Sequence, residues 1–175
     1  MPNDQAVAAA QLAADGARSL AELKTALDAF GGCNLKNSAR STVFLTGDPA
    51  SRIMVVGPMP NADDDRDGLP FSGRQGQLLD RMLAAIGLSR ETVVLTNVIP
   101  WRPPGNRMPS PAETAICQPF IERQICLCQP DHLLLRDFHL RQRRLDRLPR
   151  THYLEQLVDL CVAGRRGVSK GCGQG

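Results

Sequence analysis

Two short runs, Ile53-Met54-Val55-Val56-Gly57 and Val93-Val94-Leu95-Thr96-Asn97, constrain the fold more than anything else in the chain. A strand with one wet face alternates apolar and polar residues, whereas an unbroken apolar run suits a strand covered on both faces, the signature of a buried parallel sheet. A third run, His132-Leu133-Leu134-Leu135, follows the break at Pro130. Between the first two lies an amphipathic stretch, Gln77 to Ile86, with Leu78, Leu79, Met82, Leu83 and Ile86 predicted inward. Between the second and third, Ser110-Pro111-Ala112-Glu113 supplies cap, first-turn proline and capping-box acid for a helix reaching about Cys126. Strand, helix, strand, helix, strand predicts an α/β fold: three layers, α/β/α, around a central parallel sheet, with ligands at the carboxyl ends of the strands.

Three segments are expected. Residues 1–30 read as helical: an alanine-rich stretch, then the capping box Ser19-Leu20-Ala21-Glu22 opening a helix with Leu20, Leu23, Leu27 and Phe30 on one face. Residues 31–135 carry the α/β pattern, including a short strand at Val43-Phe44 and a long loop from Pro58 to Arg74. Residues 136–175 form a basic tail without strand patterning, six arginines falling in 136–150, apart from a short helix expected over Thr151 to Val162. The sheet is therefore expected to be incomplete at its C-terminal end.

The length, 175 residues, suits one domain with a sizeable core. No run reaches the roughly 18 apolar residues of a membrane span, and the N-terminus lacks a basic signal head, so a soluble, cytoplasmic monomer is expected. The net charge of +3 is uneven. Residues 1–135 hold 12 Lys and Arg against 14 Asp and Glu, and residues 136–175 hold 9 against 4. Bulk charge thus gives the body of the protein no general affinity for nucleic acid, and phosphate contacts must be local. Six cysteines at irregular spacing, with no sign of export, read as free thiols. Cys126 and Cys128 on a helix end point apart, poor geometry for one metal.

Asn97 closes the second strand and is followed by Arg102-Pro103-Pro104-Gly105-Asn106-Arg107. An amide offers an acceptor and two donors in one plane, so it can pair with the edge of an extruded uracil and mismatch cytosine, whose groups are exchanged there. Arg102 and Arg107 would hold flanking phosphates. The competing reading makes Asn97 a strand cap and the arginines solvated. Asp63-Asp64-Asp65 is either a solvated loop or a group of carboxylates at the site; a Mg²⁺ ion there has no second supporting cluster.

Taken together, Val56-Gly57, Pro60, Asp64-Asp65, Gly68-Leu69-Pro70-Phe71-Ser72-Gly73, Gln75-Gly76-Gln77-Leu78-Leu79, Thr96-Asn97 and the Arg102–Arg107 loop resemble the family 4 uracil-DNA glycosylases over residues 30 to 135. The resemblance implies a base-excision-repair enzyme acting on uracil-containing DNA, hydrolysing the N-glycosidic bond, and carrying a 4Fe-4S cluster. It implies that Phe71 stacks on the flipped uracil, that Asn97 bonds its edge, that Gly57 lets the substrate approach, and that Asp64 orients water or offsets charge developing on the sugar.

Three departures stand beside it. The family's first motif, Gly-Glu-(Ala or Gly)-Pro-Gly, is here Gly57-Pro58-Met59-Pro60-Asn61. The family's four cluster cysteines map by this resemblance onto Phe30, Cys33, Trp101 and Cys117, leaving Cys33 and Cys117 as an incomplete metal set; Phe30 and Trp101 would fill the space with apolar packing. The family's His-Pro-(Ser or Ala) motif has no counterpart after Leu135, since His139 and His152 lack a following proline and His132 stands at the start of the third run. The switch at Arg136 is read as truncation or a frameshift. A DNA-binding remnant of the same fold, without catalysis, is the alternative to an enzyme.

Overall fold

A computed structural model describes residues 2–135. The expectations for residues 136–175, including the Thr151–Val162 helix, lie outside the described residues. The elements run α1 (Pro2–Asp15), α2 (Leu20–Ala29), α3 (Asn34–Ser38), β1 (Thr46–Gly47), β2 (Ile53–Gly57), α4 (Ala62–Asp67), α5 (Gly73–Ala84), β3 (Val94–Asn97), α6 (Pro111–Cys128) and β4 (His132–Leu135). A short 3-10 turn, Pro104–Asn106, interrupts the loop between β3 and α6. Among the described residues no helix is long and apolar enough to cross a membrane.

The sheet has the order β1-β3-β2-β4. Strands β3 and β4 both run parallel to β2, one on either side of it, as the apolar runs predict. Burial follows the pleat. Val55, Val93 and Leu95 pack with Leu79 and Leu83 of α5, whereas Met54, Val56 and Val94 pack with Ile121 and Cys128 of α6. One helix therefore covers each face, which gives the three α/β/α layers and explains why these strands have no polar side. Helices α1 and α2 extend the α6 side through a separate apolar cluster containing Leu23, Leu27, Phe30, Trp101 and Phe120.

Four expectations are corrected. The first strand is Thr46–Gly47 rather than Val43-Phe44, and it pairs antiparallel with β3, so the sheet is mixed at that edge. Val43 instead donates its N–H to the Pro100 carbonyl at 2.8 Å and buries its side chain beside the sheet. The Pro58–Arg74 stretch contains a helix, α4, because Asn61 caps it: Asn61 Oδ1 accepts the N–H groups of Asp63 and Asp64, and the Asp64 carboxylate accepts the Asn61 N–H. Helix α5 begins at Gly73 and ends at Ala84, and only Leu79 and Leu83 of its apolar residues are buried. Leu78, Met82 and Ile86 lie exposed on the flank turned from the strands, since a two-residue stripe suffices to cover Val55 and Leu95. Lastly, Ser19 Oγ caps α2 through Glu22 N–H, but the Glu22 carboxylate takes the N–H of Arg18 rather than that of Ser19.

Candidate functional site

The crossovers after β2 and β3 leave toward opposite faces, α5 on one and α6 on the other, so the two strands part their loops at a topological switch point. The residues at that point are register partners: Gly57 stands opposite Asn97. Pairing continues one step further, with Val98 N–H donating to the Gly57 carbonyl at 2.8 Å and Ile99 N–H to the Pro58 carbonyl at 3.1 Å. Pro58 serves here as an acceptor, so its missing N–H leaves this pairing intact.

Three sequence-predicted residues converge here. A Cβ on Gly57 would overlap Asn97 Oδ1 and lie 3.0 Å from Phe71 Cζ, so the planar amide, the benzene ring and the bare backbone occupy one corner. Thr96 points to the other face, where its hydroxyl donates to Gln124 Oε1 at 2.7 Å, and the alternation of the strand turns Asn97 toward Phe71. Asn97 is 4% exposed, and among the described residues its Nδ2 has no hydrogen-bond partner. A buried donor left unpaired costs about 1–3 kcal/mol, which sets Asn97 apart from the other buried polar side chains of the described residues.

Phe71 is held in a left-handed conformation, φ 55°, by four devices. The Ser72 N–H donates to Asp64 Oδ1 at 2.6 Å. Arg90 Nη2 donates to the Phe71 carbonyl at 2.9 Å, while Arg90 Nε is fixed by Asp80 Oδ1 at 2.8 Å. Gly76 allows the close approach, since any Cβ there would overlap the Phe71 carbonyl oxygen. Finally, the loop enters this turn from Gly68 at φ 70°, the left-handed cap of α4. The sequence pattern missed Arg90 and Gly76 in these roles; Gly76 lay within a quoted motif, but Arg90 acts across 19 residues with no local signal.

Asp64 is buried, and both carboxylate oxygens accept main-chain N–H groups, from Asn61 at 3.1 Å and Ser72 at 2.6 Å. Its pKa is raised, chiefly by burial, against the lowering pull of those two donors. The three neighbouring carboxylates serve three different structures. Asp63 pairs with Arg66 at 3.1 Å, and Asp65 Oδ1 accepts the N–H groups of Arg40 and Ser41 at 2.8 and 3.0 Å. They do not converge as a Mg²⁺ site would require. Arg102 leans on this ring of contacts, its Nη1 3.9 Å from Asp65 Oδ2 and its Nε bonded to Asn106 Oδ1 at 2.8 Å. Arg107 is engaged in both arms by Glu113, at 2.8 and 2.6 Å, and this pairing holds the Glu113 carboxyl down to about 2. Both arginines thus stand on the loop leaving β3, with Arg107 braced against the cap of α6.

Cys33 and Cys117 also come together, in the α1–α2–α6 cluster away from the β2–β3 corner. The neighbouring Cys117 thiol, more than any other group, lowers Cys33 to about 7, with help from the Leu35 and Lys36 N–H groups, and Cys33 together with burial raises Cys117. Phe30 and Trp101 fill the other two positions of the ligand set with stacked rings, so the donor set does not fit a four-thiolate cluster.

Residues 44–140 match the uracil DNA glycosylase superfamily. The chain belongs to that superfamily. Among its relatives, the type-4 uracil-DNA glycosylase of Archaeoglobus fulgidus is 41% identical over 99 residues, 57% of this chain and 50% of the relative. That of Sulfurisphaera tokodaii is 38% identical over 113 residues, covering 64% and 51%, and that of Thermotoga maritima 40% over 99 residues, covering 57% and 52%. The chain spans about half the length of these curated relatives. Every residue of the β2–β3 corner lies within the superfamily match, whereas Phe30 and Cys33 precede it.

Proposed function

We propose that the chain is a uracil-DNA glycosylase-like protein that receives a uracil extruded from DNA at the Gly57–Phe71–Asn97 corner and promotes hydrolysis of its N-glycosidic bond. The observation that carries this reading is the buried, unpaired Nδ2 of Asn97 beside the ring of Phe71. Asn97 Nδ2 donates to the uracil O4 carbonyl while Oδ1 accepts the N3–H; cytosine presents a donor and an acceptor in the reverse order and is refused. Phe71 replaces the stacking the base loses on leaving the duplex, and its fixed backbone means that little ordering cost remains at binding. Gly57 supplies the space, and Arg102 takes a flanking phosphate.

In the reaction the C1′–N1 bond breaks with its electron pair leaving on uracil, a water oxygen bonds to C1′, and the proton that water loses ends on the uracil anion. Asn97 lowers the barrier by donating to O4, where negative charge gathers as the bond opens. Asp64 locks the Phe71–Ser72 turn through its Ser72 contact; orienting a water would use a lone pair beyond those the two main-chain N–H groups occupy. The iron–sulfur group implied by resemblance has no part in these steps.

The test is release of uracil from a single-uracil oligonucleotide, with binding of uracil- and cytosine-containing strands measured in parallel. Uracil release, or a clear preference for the uracil strand, that Asn97→Ala abolishes is the expected result. A folded protein with neither, and with Asn97→Ala indistinguishable from the parent, overturns the proposal. Binding that weakens with salt and ignores uracil would instead mark a DNA-binding remnant.

A further inference from the structure

We propose that the Phe30–Cys33–Trp101–Cys117 corner is a metal-free core, in which two aromatic rings stand in place of two thiolates and no iron–sulfur cluster is held. This inference is independent of the uracil reading. An iron–sulfur cluster of the four-iron type takes four cysteine thiolates, one for each iron. Two of the four positions here carry rings, and the rings are seated as structural members. Phe30 and Trp101 stack with centroids 6.5 Å apart and planes 14° from parallel, and Phe120 closes on Phe30 edge-on at 5.3 Å. Trp101 is fully buried, with its indole N–H satisfied by Thr42 Oγ1 at 3.1 Å. Room for the Phe30 ring is made by Gly32, where a Cβ would lie 2.6 Å from Cζ. The Phe30 carbonyl, in turn, accepts from Lys36 Nζ at 2.9 Å.

The two remaining thiols are buried in the same apolar cluster as the rings, each influencing the other's ionisation, and Cys33 is further served by main-chain N–H groups. Nor can the other described cysteines complete the set. Cys128 belongs to the cluster between α6 and the sheet, with Met54 and Val56. Cys126 lies beside Arg123, and nine residues of helix separate it from Cys117, about 13 Å at 1.5 Å per residue. The interior that a cluster would occupy is taken up by packed carbon, so the aromatic pair contributes by burial and ring contact what metal ligation would otherwise supply.

The test measures iron and acid-labile sulfide in the full chain, purified anaerobically and again after treatment with ferrous iron, sulfide and dithiothreitol. The expected result is substoichiometric iron, no thiolate-to-iron absorption, and a melting temperature that chelators leave unchanged. Replacing both thiols, Cys33→Ala with Cys117→Ala, is expected to lower the melting temperature by only a few degrees. The double variant Phe30→Cys/Trp101→Cys, which restores four thiols, is expected to take up iron and colour under the same treatment. A native chain that loads a full cluster and loses it in Cys33→Ser or Cys117→Ser overturns the proposal, whether or not the four-thiol variant folds. Iron that persists in those variants and disappears with Cys161→Ser or Cys172→Ser places a cluster elsewhere and leaves this corner metal-free.

Discussion

The β2–β3 corner and the Phe30–Trp101 corner are both assembled from positions that resemblance to the family 4 enzymes marks out, yet their interiors are opposite. In the first, the Nδ2 of a buried amide has no partner among the described residues, and an aromatic residue is kept in a left-handed backbone conformation. In the second, Trp101 Nε1–H has its hydroxyl, the rings have each other, and the two thiols are buried in the same cluster. Unspent hydrogen-bonding capacity in the first corner, and its absence in the second, fits the proposed reading of one as a base-binding place and the other as packed core. The two corners should therefore respond oppositely to substitution, one through activity and the other through stability.

Trp101→Ala should show the largest effect: a loss of about 3–5 kcal/mol of stability, since a fully buried indole leaves a cavity that α2 and α6 cannot close. Denaturant unfolding measures it, and a loss below about 1 kcal/mol would deny the ring its structural place. At the opposite corner, Asn97→Ala should lower uracil release about 10²–10³-fold, the scale of losing one preorganised donor, while leaving the unfolding midpoint unchanged or raised because the unpaired Nδ2 is gone. A parallel fall in stability would mean that Asn97 is structural after all. Phe71→Ala should weaken binding of a uracil-containing strand by about 1–3 kcal/mol, the range for one base–aromatic stack.

Arg90→Ala should be milder and more diagnostic. It frees the Phe71 carbonyl and Asp80 together, so faster hydrogen exchange over residues 68–76 should accompany a higher KM with little change in kcat, and Arg90→Lys should restore part of both. The smallest effect is expected at Glu113. Its carboxyl is held near 2 in the folded protein against an ordinary value of 4.5, so the Arg107 pair contributes stability that is full above pH 4.5 and fades as pH falls toward about 2. Glu113→Gln should remove that step from a stability-versus-pH series, and a step of unchanged size would assign it to another carboxylate.

The three parallel strands were readable because unbroken apolar runs have one cheap solution, a sheet buried on both faces, whereas the two-residue edge strand Thr46–Gly47 carries no such run. Ser110-Pro111-Ala112-Glu113 likewise declared the start of α6, and Asn97 and Phe71 came together as the two strand-end loops implied. Asn61 was legible in principle, since Asn followed three residues later by Asp is a capping pair, but the acid run beside it looked like a wet loop and hid α4. Periodicity overstated the buried face of α5, because spacing reports which residues share a flank and says nothing of how wide the opposing surface is. The Arg90–Phe71 contact spans 19 residues and depends on where two turns meet, which no local pattern encodes; the Arg107–Glu113 pair spans six residues, from an irregular loop to a helix start, a separation outside helix or strand periodicity.

The rung that sets Gly57 against Asn97 has a further consequence for how such a protein can change. Because side chains alternate along a strand, inserting or deleting a single residue in β3 would swing the amide to the α6 layer and bring a neighbour into the base corner. Under the proposed function, specificity for the base would thus be indexed by the hydrogen-bond ladder itself, and drift in length would be tolerable in the outlying loops but not within those four residues.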